Sequence, residues 1–260
     1  MSPRDTWNPA QYERFRAERE QPFHDLAALV TKRPARRVVD LGCGTGVLTA
    51  ALHRDLGAAE TVGVDSSDAM LQRCAEIDVP GVRFERGDIS TWEPDAPFDV
   101  VFSNAAVQWV PDHPALLERL TSMLAAGGEL AVQMPANFDH PSHRLAAEMA
   151  QGAPFAGAMG GYARTVPVLA PEAYATLLHE LGFASQIVRM QVYGHVLEST
   201  DAVVEWVRGT LLTDYESRLS ESLYQEFLAE YRQRLHDALG DHRPYFYPFK
   251  RILIWGRRPG

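Results

Sequence analysis

The feature that most constrains this chain is a short apolar run ending in a glycine cluster. Arg36-Arg37-Val38-Val39-Asp40-Leu41 reads as a buried strand, and Gly42-Cys43-Gly44-Thr45-Gly46 follows it directly. The next segment, Val47 to Leu56, places Val47, Leu48, Ala51 and Leu52 on one helical face. A strand that turns through glycines into a helix is the opening unit of a doubly wound sheet, whose ligand crevice lies at that turn. Glycine there permits positive φ and lets a ligand approach the backbone closely.

The alternation continues downstream. Thr61–Val64, Val82–Phe84 and Phe98–Phe102 read as further strands, and Asp68–Ile77 as a helix. Ala115–Leu124 reads as a helix stopped by Gly127-Gly128, and Glu129–Met134 as a fifth strand. Strand and helix at this spacing imply right-handed crossovers and a parallel sheet covered on both faces. After Pro135 the pattern loosens. Helices are expected over His140–Gln151 and Pro171–Leu181, an irregular loop over Gly152–Gly161, and strands over Ile187–Leu197 and Arg251–Trp255. Leu219, Leu223, Phe227, Tyr231, Leu235 and Leu239 recur every four residues and predict one apolar face of a helix over Glu216–Leu239.

Charge and composition narrow the partners. The 260 residues carry a formal net charge of −9, which argues against nucleic acid as the main partner. No apolar run is long enough to span a membrane. Met1-Ser2-Pro3-Arg4-Asp5 lacks the apolar core of a signal peptide, so the expected compartment is the cytoplasm. Cys43 and Cys74 form no disulfide framework, and the histidines show no metal-ligand spacing, so no metal is expected. A monomer is the default.

Two cofactor classes compete for the glycine loop. A dinucleotide site reads G-x-G-x-x-G, but position 47 is Val and the spacing here is G-x-G-x-G. Asp40 would repel a pyrophosphate, which wants bare helix-terminal amides, yet it suits an ammonium group. Asp65, with Ser66 beside it, ends the second strand and can accept from both ribose hydroxyls. Asp88 ends the third and can accept from an adenine amino group, with Ile89 against the ring. An adenosyl ligand with an ammonium and no phosphate fits this set, and S-adenosylmethionine is such a molecule. Gly42, Cys43 and Gly44 line it, with Cys43 as a small filler.

On these residues the chain resembles the class I S-adenosylmethionine-dependent methyltransferases from Val38 to about Met134. The resemblance implies a doubly wound, seven-stranded, mostly parallel sheet, a Rossmann-like core whose last strand is antiparallel, with an added helical cap over the active site. One domain is expected: residues 1–35 as an N-terminal helical lid, 36–135 as the cofactor half, 136–240 as the substrate side with helical insertions, and 241–260 as the final strand. Ser103-Asn104-Ala105-Ala106-Val107-Gln108-Trp109-Val110 would line the site beneath the transferring methyl, with Asn104 on the cofactor side.

A narrower likeness rests on Trp7-Asn8-Pro9-Ala10-Gln11-Tyr12, Gln108-Trp109-Val110-Pro111-Asp112-His113, Gln133-Met134-Pro135 and Val204-Glu205-Trp206-Val207. Together they are similar to the trans-aconitate 2-methyltransferases. That implies O-methylation of one carboxylate of a small polycarboxylic acid, with S-adenosylhomocysteine as the second product. Trp7 and Tyr12 are expected to cover the cofactor, an aromatic face beside a sulfonium. A carboxylate is already a nucleophile at neutral pH, so no catalytic acid or base is expected. The anionic acceptor needs local donors, and the candidates are Gln108, Trp109, His143, Arg144, Tyr162, Tyr247 and Arg251, with Arg164, Arg208 and Lys250 behind them. The competing readings are a malonyl-thioester carrier or a quinone-type acceptor for the methyl group, and a non-catalytic S-adenosylmethionine-binding module.

Overall fold

The protein is described by a computed structural model covering residues 16–34 and 36–260. Its first element is helix α1 (Arg16–Ala27). There follow β1 (Arg37–Leu41), α2 (Val47–Leu56), β2 (Glu60–Asp65), α3 (Asp68–Cys74), β3 (Val82–Arg86) and β4 (Phe98–Asn104). Next come α4 (His113–Ser122), β5 (Leu124–Pro135), α5 (Pro141–Ala150), α6 (Phe155–Ala158), α7 (Pro171–Glu180) and β6 (Ser185–Leu197). The last are α8 (Asp201–Arg208), α9 (Leu211–Glu216), α10 (Glu221–Leu239) and β7 (Tyr245–Arg257). Seven strands form one sheet in the order β3-β2-β1-β4-β5-β7-β6. β1 to β5 pair in parallel, and β7 runs antiparallel to β5.

The described chain divides into two compact units. The first holds Glu20–Ala136, Pro167–Gln191 and Lys250–Gly260 and contains the parallel strands. Its core alternates by residue parity, as a pleated sheet covered on both sides must. Val39, Leu41, Val101, Leu130, Val132 and Ile252 pack with Leu116, Leu120 of α4 and Tyr174, Leu178 of α7. Val38, Val100, Phe102, Ala131 and Leu253 pack on the opposite face with Phe23, Leu26 of α1 and Leu52, Leu56 of α2. The second unit holds Asn137–Val166 and Val192–Phe249. Its core gathers Leu145 and Met149 of α5, Val203 and Trp206 of α8, and Phe227, Tyr231 and Leu235 of α10. The unit boundaries fall within β6 and β7, so Pro167–Gln191 belongs with the sheet and Tyr245–Phe249 with the helices.

Three local expectations are corrected. α4 ends at Ser122, and Gly127-Gly128 lie inside β5, where the pairing with β4 shifts register; they mark a bulge, not a helix stop. α10 starts at Glu221 with Ser220 as its cap, and its buried face is Tyr224, Phe227, Leu228, Tyr231 and Leu235. A strict four-residue repeat drifts by about 40° per step around a helix, so Leu219 falls before the helix and Leu223 and Leu239 are only half-buried. The Gly152–Gly161 loop contains the short helix α6, whose Phe155 is buried against the ring of Phe227.

One buried ion pair ties the middle of β5 to the segment before β1. Glu129, fully buried, accepts from Arg36 Nη2 at 2.8 Å, from the Thr31 amide at 2.9 Å and from Trp255 Nε1 at 2.9 Å. Burial alone would raise its pKa, but these donors outweigh it and hold the carboxyl below the ordinary 4.5. Its contribution is therefore full above about pH 4.5 and is lost as the pH falls through the depressed value. Glu129→Ala leaves the Arg36 charge buried and is expected to cost about 3–5 kcal/mol in urea unfolding at pH 7, with the deficit shrinking in acid.

Candidate active site

The loop after β1 is held by contacts that only glycine permits. Gly42 has φ +79°, and a Cβ there would lie 2.2 Å from the Ala106 side chain in the turn after β4. The Gly42 and Cys43 amides donate to the Val64 carbonyl of β2 at 2.8 and 3.1 Å. Gly46 opens α2 at φ +76°, with the Phe84 ring where its side chain would be. The loop is thus pressed between the ends of β2 and β4, as a ligand crevice at a strand-order reversal requires.

Acids occupy the three strand ends around it. Asp40 is buried on β1, and Thr49 Oγ1 of α2 donates to its Oδ2 at 2.6 Å. Burial pushes its carboxyl up to about 6, the Thr49 bond opposes the rise and the Asp65 charge adds to it. Asp65 accepts from the Gly44 amide at 2.8 Å and the Ser67 amide at 2.9 Å, one per oxygen. It is thereby oriented, and each oxygen keeps a lone pair. Ser66 is exposed beside it. Asp88 is exposed after β3, with Ser90 donating from both backbone and hydroxyl to its Oδ1, bonds that hold its pKa below 3.8. Ile89 reaches back to the loop, with Cδ1 3.6 Å from where a Gly42 Cβ would stand. The Cys74 thiol donates to Gly44 O at 3.2 Å. Its hydrogen bond with Cys43, with burial second, pushes the Cys43 thiol far up, which keeps it protonated and inert.

The turn after β4 supplies unfilled polar valence. Asn104 Oδ1 and Gln108 Oε1 are buried with no hydrogen-bond partner among the described residues, while Gln108 Nε2 donates to Ala105 O at 2.6 Å. Ala105 adopts φ +55°, and its amide donates to Gln133 O at 2.8 Å. His113 braces the turn from beneath: Nε2 donates to Val107 O at 3.1 Å, which leaves Nδ1 to accept from Tyr174 OH. Trp109 is exposed at 52%. Among the described residues the buried Asp40 and the oriented Asp65 are acceptors of the kind that an ammonium and ribose hydroxyls would need.

Along β4, β5 and β7 the register places Asn104 opposite Gln133 and Arg251 opposite Pro135. Arg251 is buried at 5% exposure and donates from Nη1 to Gln133 Oε1 at 3.4 Å. Residue parity puts Asp40, Asn104, Gln133 and Arg251 on the same face, that of Val38, Phe102 and Leu253. Sequence reasoning assigned Gln133 no role. The signal available to it was a polar residue in an otherwise apolar strand.

The remaining acceptor candidates lie in the helical unit. Ser142 Oγ is the hub of a buried network, contacting His140 Nδ1 at 2.9 Å, His143 Nδ1 at 3.0 Å and Tyr247 OH at 2.9 Å. Burial, aided by the Arg164 charge, lowers the His143 pKa to about 3, so the imidazole is neutral. Tyr247 is fully buried and also receives Asn137 Nδ2 at 3.4 Å. Tyr162 donates to Asp214 Oδ2 at 2.5 Å, and Arg164 approaches the same carboxylate at 3.6 Å. Arg144 stands apart: it is exposed and paired with Glu148 one helical turn on. Trp7 and Tyr12 lie outside the described residues. Among the described residues no group of side chains could hold a metal ion, and no helix is long and apolar enough to cross a membrane.

Residues 12–186 match the model of a methyltransferase domain. The chain belongs to the methyltransferase family. It is 45% identical over 260 residues to a trans-aconitate 2-methyltransferase of Deinococcus radiodurans, covering 98% of this chain and 99% of that one. A protein of the same description from Variovorax paradoxus is 44% identical, covering 96% and 95%. Solved structures share the fold of this methyltransferase. YcgJ from Bacillus subtilis aligns at TM-score 0.60 with 17% identity, covering 93% of this chain and 99% of that one. Phosphoethanolamine N-methyltransferase 2 from Haemonchus contortus, solved with S-adenosyl-L-methionine, aligns at 0.58 with 18% identity, covering 93% and 53%.

Two outcomes are expected. Gly42→Ala drives a methyl into Ala106 and should lower cofactor affinity by about tenfold or more, whereas Gly44→Ala, with open space around it, carries only the cost of its left-handed φ, about 1–2 kcal/mol. Calorimetric titration of both variants decides it. For Asp40 the sign is the reverse of Glu129. The folded protein pays nothing below about pH 3.8 and bears the full cost of the buried charge above about pH 6. Asp40→Asn should therefore raise the melting temperature of the ligand-free protein at pH 7.5 while weakening cofactor binding.

Proposed function

We propose that this methyltransferase esterifies one carboxylate of a small polycarboxylic acid, trans-aconitate, using S-adenosylmethionine. The observation that carries the acceptor class is Arg251, a buried guanidinium on the same sheet face as Asp40 and Asn104. The relatives described as trans-aconitate 2-methyltransferases, similar over nearly the whole chain, support the particular acid.

S-adenosylmethionine supplies an electrophilic methyl group on a sulfonium. The protein's part is to bind and align. Asp40 holds the ammonium end, Asp65 takes the ribose hydroxyls on the lone pairs its amide donors leave, and Asp88 with Ile89 receives the adenine. Arg251 grips a carboxylate of the acceptor, the geometry in which a planar fork outperforms a point charge. The attacking oxygen is anionic already, so alignment is the main demand, worth roughly 7–11 kcal/mol in well-oriented pairs. No proton needs removing. His113 is committed through both nitrogens to Val107 and Tyr174 and serves as a brace.

The test is methyl transfer from labelled S-adenosylmethionine to trans-aconitate, cis-aconitate, citrate and isocitrate. A base-labile monoester of trans-aconitate is the expected product; cofactor binding with no ester on any acid overturns the reading and turns attention to a thioester carrier or quinone. Arg251→Gln should raise the acceptor KM by about tenfold to a hundredfold, as loss of a charged hydrogen bond does, and move the cofactor KM by less than about twofold.

A further inference from the structure

Gln133 is fully buried on β5, between Asn104 of β4 and Leu253 of β7. Its amide has a defined orientation, because a guanidinium only donates: the contact from Arg251 Nη1 at 3.4 Å must end on Oε1. The other end of the amide, Nε2, is then the donor left over. Nε2 is buried without a hydrogen-bond partner among the described residues, an exception among native buried donors. Asn104, directly opposite on the same face, leaves Oδ1 unpartnered as well. The unmet donor therefore sits beside the buried cation and within the row of residues that ends the parallel strands.

We propose that Gln133 is a specificity-determining residue for the acceptor. Its Oε1 fixes the Arg251 fork, and its Nε2 donates to an oxygen of the carboxylate that Arg251 binds. The inference rests on the carboxylate-methylating function and deepens it. A neutral amide at 133 supplies Arg251 with an acceptor without adding a negative charge beside it. A glutamate there would place a carboxylate beside Arg251 and repel an acid, whereas an apolar residue would remove both the Oε1 acceptor and the second donor.

Gln133→Glu and Gln133→Met separate these roles from simple packing. Gln133→Glu is expected to retain or raise the melting temperature, since it gains a buried ion pair with Arg251. Its acceptor KM should rise by about thirtyfold or more with the cofactor KM within about twofold, on the scale of one charged hydrogen bond. Gln133→Met, similar in volume, should raise the acceptor KM by about tenfold, again sparing the cofactor. A wild-type acceptor KM in either folded variant, or equal rises for acceptor and cofactor, overturns the proposal. Arg251→Gln distinguishes the two failures. If it raises the acceptor KM while both Gln133 variants do not, Gln133 is structural and the carboxylate reading stands. If no acid is methylated by the wild-type protein, the reading falls and the Gln133 assignment falls with it.

Discussion

The absence of a side chain at Gly42 is the constraint on which the site depends. Asp40 is two residues upstream in β1, Asn104 ends β4 and Ala106 lies in the turn after it, so the distance between the two strand ends sets the spacing of everything they carry. With Gly42 at φ +79° and Ala106 where its Cβ would be, the two loops close to contact. That closure is reinforced from both sides. Phe84 of β3 packs across Gly46 and Gly63, and His113 with Tyr174 holds Val107 from below. The backbone is strained in compensation at Ala105, a non-glycine residue at φ +55°, a cost of the kind that persists where the surroundings over-determine a conformation.

Charge is sorted along the same edge. Carboxylates cluster where β1, β2 and β3 end, and the buried guanidinium lies at the far side, on β7. In a chain of net charge −9 the cation must be local to act on an anion at all. At Asp40 burial is unfavourable to the charge, and a cationic ligand group placed beside it would offset that penalty directly. The sheet thus presents opposite electrostatic requirements a few strands apart, without a metal-ligand set among the described residues.

Much of this was legible in the sequence, and the reasons differ by residue. Asp40, Asp65 and Asp88 each follow a recognisable apolar strand and precede a turn, so periodicity locates them at one sheet edge. The seven strands and the antiparallel last strand followed from the family resemblance, since Arg251–Trp255 alone carries no direction. Gln133 entered only within the Gln133-Met134-Pro135 likeness and without a role, because a single glutamine in a strand is equally compatible with solvent; the structure buries it in register with Asn104 and Leu253. The helical unit was harder still. α8 and α9 went unnoticed, and Tyr247, a hydroxyl that sequence offers to a ligand, is bound to Ser142 inside the core. Such contacts are non-local, linking positions 105 residues apart, and no local pattern encodes them.

The pairing of one guanidinium with one amide also suits the energetics of the proposed reaction. A carboxylate and a sulfonium approach as opposite charges and leave as neutral species, so charge is disappearing as the barrier is crossed. Every cation that grips the carboxylate binds it more strongly before the transition state than at it, and only differential binding accelerates chemistry. A second arginine at position 133 would tighten substrate binding and slow the transfer. A neutral amide orients the oxygen at lower electrostatic cost, and burial of the pair excludes the water that would otherwise stabilise the separated charges. On the proposed reaction, a neutral amide beside Arg251 therefore favours turnover more than a second cation would.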